Sequence, residues 1–191
     1  MLFDLELGCL RRLVPSGTGP RLEVGVGSGR FAAALGLEAG LDPARAPLRL
    51  AAGRAVAVVQ GAGERLPFGD RTFGAVVLVV TLCFADDPAA LLGEARRVLF
   101  PSGRLVTGVV PLDNSAWGRR YEAQGRAGHR FYRGARFLTL AEHRQMLITA
   151  GVTVTGACST LTQAPSDDPV EEDAHDGAVA GAGFVALQAR P

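Results

Sequence analysis

Three glycines separated by single residues follow a short apolar segment near the start of the chain. Gly25, Gly27 and Gly29 come directly after residues 22–24, and an apolar stretch at 31–37 follows them. The order is therefore strand, glycine turn and helix, which is the order that nucleotide-like cofactors use. Without side chains at the turn, a ligand can approach the backbone N–H groups closely. The segment predicts a binding site for a nucleotide-like cofactor.

Glu23 and the spacing of the glycines narrow the chemistry of that cofactor. The spacing is G-x-G-x-G, whereas a dinucleotide site is expected to read G-x-G-x-x-G. A carboxylate two residues before the first glycine would repel a pyrophosphate, but it suits a ligand that carries an ammonium and a sulfonium. These features favour S-adenosylmethionine. Asp42 also fits a nicotinamide-dependent oxidoreductase, although Glu23 and the glycine spacing do not.

The elements around the motif predict a parallel sheet with helices on both faces. Strands are predicted at residues 21–24, 38–41, 56–59, 73–81, 104–110, 152–160 and 183–189. The apolar run at 56–59 is typical of a strand buried on both faces. No helix-sized pattern separates the last two strands, which predicts an antiparallel pair. We therefore predict an α/β fold: a three-layer α/β/α sandwich with a Rossmann-like, doubly wound, mostly parallel seven-stranded sheet and an antiparallel C-terminal strand.

The length of 191 residues predicts one domain over 1–191. Within it we expect a core at 20–110, a substrate-side insertion at 111–137 and a solvated acidic loop at 163–181. Three widely spaced cysteines support neither a disulfide framework nor a metal site, and they fit a reducing cytoplasm.

Charge and hydropathy exclude several classes of partner. The formal net charge of +1 gives no overall basic field of the kind expected for a nucleic-acid-binding protein. The longest apolar run, residues 75–83, is too short to cross a bilayer, so we expect no membrane partner. A small molecule remains the expected partner.

In an open α/β sheet, ligands bind beyond the carboxyl ends of the strands. Asp42 follows the second strand and could accept hydrogen bonds from both ribose hydroxyls, and residues 61–64 could offer backbone groups to an adenine edge. Residues 81–84, after the fourth strand, should lie beside the reacting centre. Each also has an ordinary interpretation: Asp42 as a helix cap, Glu64 as a solvated side chain, Cys83 and Phe84 as core. Their placement at successive strand ends favours the cofactor site.

Together these segments resemble the class I S-adenosylmethionine-dependent methyltransferases, and more closely the type 11 methyltransferase-domain family. The matching segments are residues 22–31, 40–43, 61–68, 73–76 and 94–103. The resemblance implies S-adenosyl-L-methionine as methyl donor and S-adenosyl-L-homocysteine as product. Four features depart from the family. Ala62 replaces its usual Asp, Gly74 replaces the Asp of its usual Phe-Asp, and residues 100–103 read Phe-Pro-Ser-Gly in place of Lys-Pro-Gly-Gly. The aromatic N-terminal cover of many relatives is expected to be short or absent.

The resemblance also implies roles for individual residues. Glu23 and residues 25–29 would hold the methionine and ribose portions, Asp42 the ribose hydroxyls, and Thr81 would lie near the methionine end. Pro43 would pack on the adenine, and Gly63 would donate its N–H to it beside Glu64. The implied cofactor-binding residues are Glu23, Gly25, Val26, Gly27, Ser28, Gly29, Asp42, Pro43, Gly63, Glu64 and Thr81.

The insertion at 111–137 is the candidate acceptor-binding segment. It contains six aromatic or histidine side chains: Trp117, Tyr121, His129, Phe131, Tyr132 and Phe137. A loop of this length is usually functional or disordered, and its aromatic content favours a partly ordered lid; alternatively, the aromatics anchor it to the core. A general base is needed only if the acceptor must lose a proton. His129 and Tyr121 are the catalytic candidates, with His129 as the base.

The two remaining histidines are predicted to be incidental. His143 falls on a predicted surface helix, and His175 falls in the acidic loop. The predicted function is methyl transfer to a small molecule. The alternative is a non-catalytic member that binds S-adenosylmethionine or a protein partner, which Ala62 and the lack of an obvious base favour. The sequence predicts neither the acceptor atom nor the oligomeric state.

Overall fold

The computed structural model describes residues 1–17, 19–166 and 170–191. The helices are α1 (Leu2–Leu13), α2 (Arg30–Leu35), α3 (Arg45–Ala52), α4 (Pro88–Val98), α5 (Ala116–Arg126) and α6 (Leu140–Thr149), with a 3₁₀ turn at Leu82–Phe84. The strands are β1 (Arg21–Val24), β2 (Ala39–Asp42), β3 (Ala57–Gln60), β4 (Phe73–Val79), β5 (Leu99–Val109), β6 (Thr153–Thr160), β7 (His175–Asp176) and β8 (Phe184–Arg190).

All eight strands form one sheet in the order β3-β2-β1-β4-β5-β8-β6-β7. The first five in this order are parallel, and β8 runs antiparallel to both β5 and β6. The predicted Rossmann-like fold with an antiparallel C-terminal strand is therefore confirmed. Because the strand order reverses between β2, β1 and β4, the carboxyl end of β1 lies at the switch point where such sheets bind ligands.

The acidic loop at 163–181 contains structure that the sequence did not predict. The two-residue strand β7 pairs Cys158 with Asp176 and Ser159 with His175, which makes the sheet eight-stranded rather than seven-stranded. Glu172 is only half-exposed because its carboxylate accepts hydrogen bonds from Thr160 and Thr162 at 2.9 Å. Glu172 therefore departs from the prediction of a purely solvated loop, whereas His175 and Asp176 are exposed although they form a strand. Positions 167–169 of the loop lie outside the described residues.

The two faces of the sheet carry separate halves of the core. Leu105, Leu92 and Leu147 lie in the half formed with α4 and α6. Leu10 of α1 and Phe184 of β8 lie in the other half. Every residue of β4 is buried, as expected for a central strand covered on both sides.

Strand β3 differs from the prediction of burial on both faces. Its residues are half-buried or exposed because it is the edge strand and pairs only with β2. Strand β5 also begins earlier than predicted, at Leu99. Residues 100–103 bulge out opposite Gly74, since Phe73 pairs with Leu99 but Ala75 pairs with Arg104.

Helix α1 is held against the sheet by elements from the C-terminal part of the chain. The side chain of Gln188 in β8 donates a hydrogen bond of 2.6 Å to the carbonyl of Leu13. Cys9 of α1 and Cys158 of β6 are buried free thiols whose sulfurs lie 2.7 Å apart, a proximity that their spacing in the sequence did not predict. Within the described ranges, no helix has the length and apolar character needed to cross a membrane.

Candidate active site

The glycine loop, residues 25–29, joins β1 to α2 at the switch point. Gly25 has a φ of +76°, and a Cβ atom there would meet the side chain of Thr81 at 2.5 Å. Gly27 has a φ of +51°, but a Cβ atom there would have no neighbour within 4 Å. Both conformations disfavour other residues. Gly25 therefore lets the loop pack against the end of β4, whereas Gly27 faces open space from which a ligand can approach.

Asp42, at the end of β2, lies against the glycine loop. Its Oδ2 accepts a hydrogen bond of 2.9 Å from the N–H of Gly27, and its Oδ1 accepts one of 2.8 Å from the N–H of Ala44. The second bond serves the turn before α3, but it is not a helix cap, because Ala44 is the N-cap residue and no side chain caps this helix. The first bond brings together the ends of two neighbouring strands, as the strand-end argument predicted.

Glu23 is buried directly before the glycine loop. Its side chain is 2% exposed, and Oε2 has no hydrogen-bond partner among the described residues. Burial raises the pKa of Glu23 to about 8; the N–H of Ala32 opposes this shift, and the charge of Asp42 adds to it. An unpartnered buried carboxylate oxygen is costly unless a donor or a cation reaches it.

The loops after β3 and β4 close the site from the other side. A Cβ atom on Gly63 would meet the side chain of Leu91 at 2.9 Å and that of Val24 at 3.0 Å, so the loop after β3 packs closely against α4 and β1. Glu64 is not simply solvated: its Oε1 accepts hydrogen bonds of 3.1 Å and 3.4 Å from the N–H groups of Asp86 and Asp87. Thr81 donates a hydrogen bond of 3.1 Å to the carbonyl of Val24, which links the end of β4 to that of β1.

The remaining predicted cofactor residues border the same loops. Val26 is buried, Ser28 is half-buried and Pro43 is exposed at the carboxyl end of β2. The carbonyl of Pro43 accepts a hydrogen bond of 3.0 Å from the side chain of Gln60. The structure thus brings residues 23–29, 42–43, 63–64 and 81 to one edge of the sheet.

The insertion at 111–137 contains helix α5, and one buried side chain anchors it to the rest of the fold. Trp117 is 2% exposed, and its ring N–H donates a hydrogen bond of 2.9 Å to the carbonyl of Gln163. Tyr121, Tyr132 and His129 form what we call the aromatic stack: the ring centroids of Tyr121 and Tyr132 lie 4.9 Å apart, and those of His129 and Tyr132 lie 4.8 Å apart. Trp117 therefore fits the anchoring interpretation, whereas the stack lies nearer the surface.

Comparison with known proteins decides the family. A family model described as a methyltransferase domain matches residues 22–107. The crystal structure of an S-adenosylmethionine-dependent methyltransferase from Thermotoga maritima, described as a possible histamine N-methyltransferase, is 34% identical with a TM-score of 0.91 and covers 99% of this chain and 88% of that one. The chain belongs to the class I S-adenosylmethionine-dependent methyltransferases. The predicted resemblance to type 11 methyltransferase domains is confirmed.

Other similar proteins extend this comparison. An uncharacterized protein of Mycobacterium tuberculosis is 46% identical over 189 residues, which make up 98% of this chain. The chain spans 66% of the length of that relative. An uncharacterized protein of Methanocaldococcus jannaschii is 32% identical, with 99% of this chain and 89% of that protein covered. An S-adenosylmethionine-dependent methyltransferase from Mesorhizobium loti, with a TM-score of 0.68 at 15% identity and 95% coverage of each chain, shows the fold alone.

Open space at Gly27 and the unpartnered oxygen of Glu23 fit the methyl donor of this methyltransferase family. The donor carries an ammonium and a sulfonium, and a cation near Glu23 would favour its ionised form. The N–H groups of the glycine loop and the carboxylate of Asp42 complete a set suited to a nucleoside with a charged amino-acid tail.

His143 does not lie on the surface of the protein, so that prediction was wrong. It is 1% exposed, its Nε2 lies 2.8 Å from the hydroxyl oxygen of Thr107, and its Nδ1 has no partner among the described residues. Burial lowers the pKa of His143 to about 4, with a smaller effect from Arg144. It lines a cavity of about 10 Å³ beside Cys83 and Phe137, enough for about one water molecule. In the sequence, His143 precedes Leu147 by four residues, which places both on one face of the helix. This spacing was the signal that could have indicated the burial of His143.

His129 and Tyr121, the catalytic candidates, meet in the aromatic stack through Tyr132. His129 is exposed, and its Nδ1 accepts a hydrogen bond of 3.3 Å from the N–H of Phe131. Burial raises the pKa of Tyr121 to about 12, and the charges of Tyr132 and Glu6 add to the shift. Tyr121 is therefore protonated at neutral pH. The catalytic role of either side chain stays a prediction.

Glu6 of α1 has a raised pKa that the sequence did not predict. It is half-buried, and it forms neither a salt bridge nor a side-chain hydrogen bond among the described residues. Burial raises the pKa of Glu6 to about 7, against the opposing charge of Arg30. Its own charge helps to raise the pKa of both Tyr121 and Tyr132. An acidic residue within an amphipathic helix carried no local signal of this position.

Proposed function

We propose that the chain transfers a methyl group from S-adenosylmethionine to a small-molecule acceptor. The observation that carries this proposal is the buried, unpartnered Oε2 of Glu23 directly before the glycine loop, whose Gly27 borders open space. A site that lacked a cationic ligand would leave this carboxylate uncompensated. The family supports the same reaction class.

In the proposed complex, Glu23 and residues 25–29 hold the methionine and ribose portions, with Thr81 near the methionine end. Asp42 accepts hydrogen bonds from the ribose hydroxyls while it retains its position beside Gly27. Pro43 packs on the adenine, and Gly63 and Glu64 lie along its edge. When bound, S-adenosylmethionine supplies a methyl carbon that the adjacent sulfonium already activates.

The contribution of the chain is alignment and exclusion of water. In-line displacement requires the acceptor atom to be held near the methyl carbon, and positioning alone can supply much of the rate enhancement. Residues 111–137 form the proposed acceptor side, with Trp117 anchoring it and His129 and Tyr121 as candidates for proton transfer. The proposed organisation is a domain over 1–191 with its donor-binding core at 20–110, in the cytoplasm.

Calorimetry with S-adenosylhomocysteine tests the donor site of the wild-type protein. We expect binding at micromolar concentration, and no binding at high micromolar concentration would overturn the proposal. A screen of metabolite extracts with labelled S-adenosylmethionine then tests transfer. Binding without any labelled product would favour the alternative of a non-catalytic member, to which the exposed Ala62 points.

A further inference from the structure

We infer that Cys9 and Cys158 are a modification site: oxidation joins them in a disulfide bond that ties helix α1 covalently to strand β6. The sulfur atoms of these two free thiols lie 2.7 Å apart, although the residues are 149 positions apart in the sequence. The fold therefore creates the pair. This bond goes beyond the proposed function and does not depend on it.

The positions of the two sulfurs leave little movement for bond formation. A disulfide bond is about 2.05 Å long, so the sulfurs have to approach each other by about 0.7 Å. Cys9 is 0% exposed and Cys158 is 1% exposed, and both lie in the half of the core that contains Leu10 and Phe184. Because protein interiors are closely packed, the two side chains are held face to face.

Two further contacts align α1 with the strands beneath it. One turn further along α1, the guanidinium of Arg12 forms an ion pair of 3.0 Å with Asp176, which pairs with Cys158 across the sheet. The side chain of Gln188, in β8, donates a hydrogen bond to the carbonyl of Leu13. These contacts bring the two sulfurs together again whenever α1 returns after a local opening.

The surroundings of the pair favour Cys158 as the first sulfur to react. The hydrogen bond with Cys9 lowers the pKa of Cys158 although burial opposes the shift, and the guanidinium of Arg12 lowers it further. The same hydrogen bond and burial raise the pKa of Cys9. Since the thiolate and not the thiol is the nucleophile, oxidation begins at Cys158 and Cys9 resolves it.

Hydrogen peroxide, which is small enough to enter through a local opening, is the oxidant in this reaction. The thiolate of Cys158 attacks one peroxide oxygen, the O–O bond breaks, and the other oxygen leaves as hydroxide, which takes up a proton to become water. The sulfur of Cys9 then attacks the resulting sulfenic acid. The S–S bond forms, the S–O bond breaks, and the hydroxide leaves with the proton of Cys9 as water. The two thiols lose two electrons, and peroxide is reduced to two waters.

Cys83 is the third cysteine and provides an internal control. Its sulfur donates a hydrogen bond of 3.4 Å to the carbonyl of Val80. Burial raises the pKa of Cys83 to about 12, so it remains a thiol at neutral pH. We therefore expect Cys83 to stay free under conditions that join the other two cysteines.

Peptide mapping of the wild-type protein tests the bond directly. Protein treated with equimolar hydrogen peroxide is unfolded, alkylated and digested without reductant. We expect a linked pair of peptides that contain Cys9 and Cys158, alkylation of Cys83 alone, and full reversal by dithiothreitol. Alkylation of all the cysteines, a sulfinic acid in place of the link, or a link that involves Cys83 would overturn the inference.

Melting temperatures test whether the bond fixes α1. Oxidation should raise the melting temperature of the wild-type protein by about 5 °C or more, because the link closes a long loop of the unfolded chain. Cys83→Ala should show the same rise, whereas Cys158→Ala should show none. Each comparison is between the oxidised and reduced forms of one variant, so a stability change caused by the substitution itself cancels. An unchanged melting temperature in linked wild-type protein would contradict the proposed tie.

Discussion

The carboxylate of Asp42 accepts a hydrogen bond of 2.9 Å from the backbone N–H of Gly27. This single contact joins the loop after β1 to the end of β2, so it fixes two proposed contact surfaces for the nucleoside of the donor at once. It also means that changes to either residue act on the geometry of the other.

Substitution of Gly27 by alanine should weaken cofactor binding without unfolding the protein. The added methyl group points into the open space beside the loop, and a φ of +51° is unfavourable for alanine by about 1–2 kcal/mol. We expect at least tenfold weaker binding of S-adenosylhomocysteine by calorimetry. Gly93→Ala is the control, because Gly93 lies within α4 with no atom near its added Cβ; it should raise stability by about 0.5–1 kcal/mol and leave affinity unchanged.

Substitution of Asp42 should separate its structural and proposed ligand roles. Asp42→Ala removes both hydrogen bonds, to Gly27 and to Ala44, and should cost stability of about 1–2 kcal/mol together with most of the affinity for S-adenosylhomocysteine. Asp42→Asn retains one acceptor oxygen and should lose affinity with a smaller change in melting temperature. Asp173→Ala, at an exposed site, is the charge-matched control. Normal affinity in Asp42→Ala would remove Asp42 from the site.

The pH dependence of stability should report Glu23. Its folded pKa of about 8 lies above the unfolded value of 4.5, so the full contribution of the protonated group to stability is present below pH 4.5 and is lost as pH rises to 8. The free energy of unfolding should fall by roughly 5 kcal/mol at most because of this side chain, at about 1.4 kcal/mol per pH unit. Urea denaturation of Glu23→Gln should lack this decline, whereas Glu171→Gln should keep it.

Cofactor binding should release a proton from the same side chain. A cationic amino-acid tail beside Glu23 favours the carboxylate, so affinity for S-adenosylhomocysteine should increase from pH 6 to pH 8. Calorimetry at pH 7 in buffers with different ionisation enthalpies measures the proton released per site. A value of zero in the wild-type protein would contradict the expected ionisation of Glu23 when the ligand binds.

His143 should make the protein sensitive to acid. Its folded pKa of about 4 lies below the ordinary value of 6.5, so its contribution is fully present above pH 6.5 and is lost as pH falls to 4. The free energy of unfolding should fall by about 3 kcal/mol over this pH range because of His143. In His143→Leu this slope between pH 6.5 and 4 should disappear. An identical acid transition in wild-type and variant protein, followed by circular dichroism, would contradict the burial of a neutral imidazole.

Local patterns in the sequence predicted the strand ends at which the proposed donor residues lie, and packing between distant segments explains what those patterns missed. Residues 25–29 and Asp42 follow apolar strands, so their positions at strand ends could be read from neighbouring residues. Burial of His143 depends on which helix covers β5, and the contact of Cys9 with Cys158 depends on the docking of α1 against a strand 149 residues away in the sequence. The half-exposed state of β3 likewise follows from strand order, which the apolar run at 56–59 does not encode.

The anchoring of α1 by Gln188 and by the contact of Cys9 with Cys158 has an evolutionary consequence. The proposed donor loops all come from residues 23–81, whereas α1 is held in place by strands from the far end of the chain. Substitutions in α1 and in the last strands can therefore accumulate together without altering the residues proposed to contact the donor. The two parts of the fold can diverge in sequence independently of each other.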